Sequence, residues 1–152
     1  MAFLRFLMLL ALVVWVGGLV FFSFVEAPAL FRLVPAHLAG LVVARSLTAL
    51  HWMGMAAGAV FLASAAFASR GISKPALVVA MIALTAILQF GIMRRMEALR
   101  AAVPNGDISA LAIQDPARQQ FDRLHGYSTW FEGGVLLLGL ITILLVARDR
   151  AE

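Results

Sequence analysis

The sequence predicts an all-α integral membrane protein, an up-down bundle of four spanning helices whose second and fourth members project from one membrane face. Three observations carry this. Of 152 residues, 63% are hydrophobic and 13% charged, with a mean hydropathy of +0.98, whereas a soluble domain is nearer half apolar and a quarter charged. The apolar residues gather into four runs, each long enough to cross a bilayer core of about 30 Å. The basic residues stand at the ends of those runs, where they control topology and touch headgroups.

The first helix is expected over residues 3–25. Its opening, MAFLRFLMLLALVVWVGGLVFF, lacks an Ala-x-Ala-like cleavage site and is long, so it reads as a retained helix and not as a signal peptide. The second is expected over 36–69, beginning just after Pro35 and apolar from Leu47. The third, over 75–102, opens at Pro75, a favourable first helical position, and ends in the polar stretch RRMEALRAA. The fourth covers 116–148 and is apolar only from Gly133. A helix of about 34 residues is about 50 Å long, so the second and fourth outrun the bilayer core. The loop VPNGDIS joins the long ends, with Asn-Gly as its turn signal. The other side holds the SRGISKP hairpin and both termini, and residues 1–152 form one four-span domain.

A net charge of +4 and a pI near 11.1 could indicate a nucleic-acid partner, but the basic residues do not form one stripe. The bilayer is the expected partner, and nucleic acid is not. Arg5, Arg70, Lys74, Arg148 and Arg150 lie at the hairpin and termini; Arg32, Arg45, Arg94, Arg95, Arg100, Arg118 and Arg123 lie on the long-loop side. Several of the latter stand near Glu97, Asp115 and Asp122 and are expected to be committed to ion pairs. The dense basic hairpin then places both termini in the cytoplasm, in a multi-pass inner membrane of bacterial type. With no cysteine in the chain, disulfides, thiol nucleophiles and zinc-cysteine sites are excluded. There is no phosphate loop, nucleophile elbow or paired-histidine zinc motif, so an enzyme is not the expected class.

A few polar residues interrupt the apolar runs. His51, Gly54, Gly58 and Ala65 share one face of the second helix, and Gly54 with Gly58 is a small-xxx-small pair that brings membrane helices close, within the bundle or in a homo-oligomer. On the fourth helix, Arg118, Asp122, His125, Ser128 or Thr129, and Glu132 recur every three or four residues as one polar stripe, with Arg123 beside it. Glu26 ends the first helix, and Gln89 lies deeper on the third. His51 and His125 are at similar depth and are expected to approach each other, with Glu132 one to two turns below His125. An ionisable side chain at the bilayer centre costs about 2.5–3.5 kcal/mol on insertion scales, so these groups need partners. Two imidazoles facing each other across a bundle suit haem, copper or zinc. His51, His125, Glu132 and Glu26 are therefore candidate ligands, with Arg118, Asp122, Arg123, Ser128 and Gln89 as a surrounding polar network. The bland reading makes His125 and Glu132 interhelical struts.

FRLVPAHLAGLV at 31–42, Leu50-His51, and RQQFDRLHGYS at 118–128 resemble the transmembrane protein 205 family of four-span membrane proteins and the uncharacterised bacterial domain of the same layout. The resemblance implies a four-helix membrane fold and supplies no reaction; the family's best-known member is associated with cisplatin resistance. WVGGLVFF at 15–22 is similar to the opening of CopD-type copper-resistance proteins and of haem-containing protoporphyrinogen oxidases. In those families a histidine two turns before the tryptophan serves the haem, and here that place is Met8.

Two functions follow. One is a metal or haem site at the long-loop end. The other is a transport, resistance or scaffold protein in which the same residues form a structural or proton-carrying network without a cofactor.

Overall fold

In a computed structural model, residues 2–68 and 71–148 are described; Arg70 and Arg150 lie outside them. Four helical rods run up and down. The first is α1 (Ala2–Phe21), a wide π-helical turn at Phe22–Glu26, and α2 (Ala27–Leu33). The second is α3 (Ala36–Ala68). The third is α4 (Ser73–Ile87), a second π turn at Leu88–Met93, and α5 (Arg94–Ala101). The fourth is α6 (Pro116–Arg148). All four rods are long and apolar enough to cross a membrane, and the chain is a multi-pass membrane protein.

Proline sets several of these boundaries. Val34 is extended, at φ −131° and ψ 158°, because the ring of Pro35 disfavours helical backbone in the residue before it. Pro28 stands inside the first rod and lacks the N–H that would bond to Phe24 four residues earlier. Phe24 lies in the π turn, where the ladder widens, and the rod then continues past its apolar run to Leu33. Pro116 is the first residue of α6, and the Asp115 carboxylate accepts from Ala117 N at 2.8 Å as its cap. The loop between α5 and α6 reverses at Asn105 and Gly106, whose φ values of 58° and 68° are left-handed.

The rods close into a ring, α1 packing on α3 and α6, and α4 on the same two. Trp15 is its keystone, 2% exposed. A Cβ at Gly54 would lie 2.2 Å from Trp15 Nε1, and one at Gly58 would lie 2.8 Å from its Cζ3 and 2.9 Å from Ile82 Cδ1. The glycine pair is thus filled from within the chain. It closes the bundle within one chain. Around Trp15, Leu12, Phe61, Met81 and Val135 make a dry core. Phe3, Phe6, Val13, Phe67, Leu137 and Trp130 face outward, as lipid-facing residues do. At the hairpin end, the Arg5 guanidinium donates to the carbonyls of Val146 and Ala147, satisfying the last turn of α6.

Candidate functional site

Just above Trp15, three rods meet in one polar cluster. His51 is 2% exposed, one turn from Gly54 on α3. Its Nδ1 lies 2.8 Å from Gln89 Oε1, on the π turn of the third rod. Its Nε2 lies 2.5 Å from Glu132 Oε1 on α6. An amide oxygen only accepts, so Gln89 fixes Nδ1 as the donor. The bridge to Glu132 then holds one proton, donated by Nε2–H to the carboxylate or by the carboxyl O–H to Nε2. Without that proton two acceptors would face each other at hydrogen-bond distance. A buried histidine with both nitrogens engaged leaves no polar group to orphan, and among the described residues no buried side-chain nitrogen or oxygen is without a partner.

Glu132 also forms part of a cleft of about 560 Å³ that opens at the long-loop end. One wall, from the first π turn, α2 and α3, is apolar and includes Phe22, Phe31, Val43 and Leu47; Met93 and Met96 close it from the third rod. The facing wall on α6 carries His125, Ser128, Thr129 and Glu132. Both π turns border the site, the first through Phe22 and Ser23, the second through Met93 in the cleft and Gln89 on His51. Such turns re-aim side chains within a helix and recur at functional sites.

The rim is tied by local bonds. Arg118 Nη1 donates to the carbonyls of Ser109 and Leu111 at 3.2 and 2.7 Å. Asp107 accepts from the Ser109 hydroxyl and N–H, and His37 Nδ1 stands 4.0 Å from its Oδ2. The Ser109 hydroxyl, above all, holds the Asp107 carboxyl below its ordinary range, against a weaker opposing effect of desolvation; the Ser109 N–H, His37 and the Ala110 N–H add to the lowering.

The expected residues are divided by this arrangement. Arg118, Asp122, His125, Ser128 and Glu132 line the cleft together, as their common stripe predicts. Gln89 joins the network through His51. With its nitrogens on Gln89 and Glu132, His51 makes no hydrogen bond to His125. The His125 ring is exposed, and the Ser128 and Thr129 hydroxyls bond to its carbonyl. Glu26 ends the first π turn outside the cleft lining, and exposed Arg123 donates to the Gln119 carbonyl. Arg118 and Arg123 thus serve main-chain carbonyls where ion pairs were expected. His37, Arg100 and Asp107 were missed as cleft residues. Only the loop's Asn-Gly turn, which folds residues 106–109 back over the bundle end, could have signalled them.

Residues 10–104 match the family described as Domain of unknown function (DUF4149). The chain belongs to this family. The DUF4149 match takes in His51, Gln89, both π turns and Arg100, and stops before α6 with His125 and Glu132. No curated protein and no solved structure matches the chain.

Proposed function

We propose that this DUF4149 protein binds a small molecule in the cleft from one side of a bacterial-type inner membrane, without a cofactor, over a proton-carrying floor made by His51, Glu132 and Gln89. The observation that carries this is the double engagement of His51, whose Glu132 partner also faces the cleft. The floor is sealed one turn further in by Trp15 against Gly54, so the geometry favours binding or gated transfer over an open channel. The volume falls within the range of small-molecule sites, about 300–1,000 Å³. The resemblance to the transmembrane protein 205 family, part of which rests on residues 118–128 beyond the DUF4149 match, supports a transport or resistance role for such a cleft. The basic residues at the hairpin and termini support cytoplasmic termini, and the cleft then opens to the opposite side.

The metal or haem reading of His51, His125, Glu132 and Glu26 fits the residues less well. A metal on His51 would have to displace Gln89 or Glu132. No group of three or more His, Asp or Glu placed to hold a metal ion occurs among the described residues. Met8, at the haem-histidine place of the CopD-like similarity, is 4% exposed within the apolar core beside Leu12 and Trp15. Metal analysis and an absorbance scan of gently purified protein test the proposal, with neither a stoichiometric metal nor a Soret band expected. A stoichiometric metal or haem that is lost alike in H51A and H125A would overturn it.

A further inference from the structure

Among the described residues, the cleft lip holds one guanidinium in place without a hydrogen-bond acceptor. Arg100, on α5, packs its guanidinium over the Phe121 ring, 5.4 Å from the centroid. On another side its Nη2 would stand only 3.5 Å from a Cβ at Gly40. Its stem lies against Gly106, where a Cβ would come 3.2 Å from Arg100 Cγ and where the φ of +68° favours glycine. Three separate elements thus fix this side chain at the cleft lip, half-buried. Among the described residues its guanidinium makes no hydrogen bond and no ion pair within 4.0 Å, and Glu97, one turn back on α5, acts on it only at longer range. Arg118, by contrast, is spent on loop carbonyls, and Asp107 is engaged by Ser109. A guanidinium ordered without an acceptor is preorganised for a carboxylate or phosphate, which it grips with two parallel N–H donors.

Below Arg100 the cleft presents the apolar wall of Phe22, Val43, Leu47 and Met93. A head-and-chain ligand matches this pairing of one fixed cation with an apolar trough, and the volume has room for one chain with its head. Resting on the binding reading above, we infer that the cleft takes a single-chain anionic amphiphile, a fatty-acid-like or lysophospholipid-like molecule. Its anionic head sits on Arg100 and its chain lies along the α2–α3 wall.

Full-length protein in phosphatidylcholine nanodiscs, offered palmitate or the uncharged monopalmitoyl glycerol and read by native mass spectrometry, tests this. Palmitate is expected to form a one-to-one adduct, whose occupancy falls about tenfold in R100Q, the scale of one charge-assisted hydrogen bond, and is largely kept in R100K. A44W, which adds bulk to the cleft wall, is expected to exclude palmitate while leaving Arg100 unchanged, so the inference does not depend on R100Q folding. Equal palmitate occupancy in wild type and R100Q, or binding of both amphiphiles alike, overturns the anionic class but leaves the cleft as a binding site. No adduct with either amphiphile overturns the anionic class and the binding reading together.

Discussion

His51 and Glu132, 81 residues apart in the chain, meet at 2.5 Å through Nε2 and Oε1, with the imidazole 2% and the carboxylate 14% exposed. The contact joins α3 to α6, and Gln89 ties the third rod to the same ring. Losing one partner of a buried hydrogen-bonded pair costs far more than the pair's net worth, because the other is left without its acceptor or donor. H51A and E132A are each expected to destabilise the bundle by about 2–4 kcal/mol, and the double variant by clearly less than the sum. Unfolding of the four proteins in detergent measures the coupling, and strictly additive losses would contradict the bridge.

Trp15 makes the next prediction. Its indole fills the space a side chain at Gly54 would need, and the ring is buried, 2% exposed. G54A is expected to cost about 1–3 kcal/mol as an overpacked core site. Ala59 is exposed on the same helix, and A59L is expected to stay within about 0.5 kcal/mol of wild type. Thermal unfolding of both variants in one detergent gives the comparison; equal midpoints would mean that the indole does not rest on Gly54.

The rim turn has its own pH dependence. The hydrogen bond from the Ser109 hydroxyl, foremost, lowers the Asp107 pKa below the ordinary 3.8. The turn's contribution is therefore complete above that pH and is lost as the pH falls through the lower folded value. The Ser109 amide resonance is expected to move only in that acid range, and D107N to abolish the movement. The same acid titration in D107N would remove Asp107 from the rim.

Orientation follows from the proposed cytoplasmic termini. In this cysteine-free chain, S73C on the hairpin side is expected to be protected from an impermeant thiol reagent in intact cells, and N105C in the long loop to react. The reverse pattern would invert the topology.

Much of the fold was legible because apolar length and proline punctuation act locally. The four runs, the start of α3 after Pro35 and the start of α6 at Pro116 need no tertiary information. His51 was legible as an inward residue through its shared face with Gly54 and Gly58. Its partner was not. His125 and Glu132 are seven residues apart on one stripe of α6, and whether His51 meets the upper or the lower one depends on helix tilt and relative height. Those are set by packing, here by Trp15 seating against α3, and no residue spells them out. The π turns left little trace either. Pro28 accounts for the first, but nothing comparable precedes Leu88. Of the Arg100 cradle only Gly106, in the nearby Asn-Gly turn, lay within local reach; Gly40 and Phe121 stand on other rods, and no local pattern brings them to it.

The cleft is proposed to be hydrated down to the His51–Glu132 floor, with dry core beneath it. Thr129 lines the cleft above the floor, while Val135, one turn beyond Glu132, is 1% exposed. The most direct measurement is the reaction rate of a small, membrane-impermeant thiol reagent with T129C and with V135C in the purified, membrane-reconstituted protein. T129C is expected to react readily and V135C to stay protected. Protection of T129C, or equal reactivity at both positions, would contradict it.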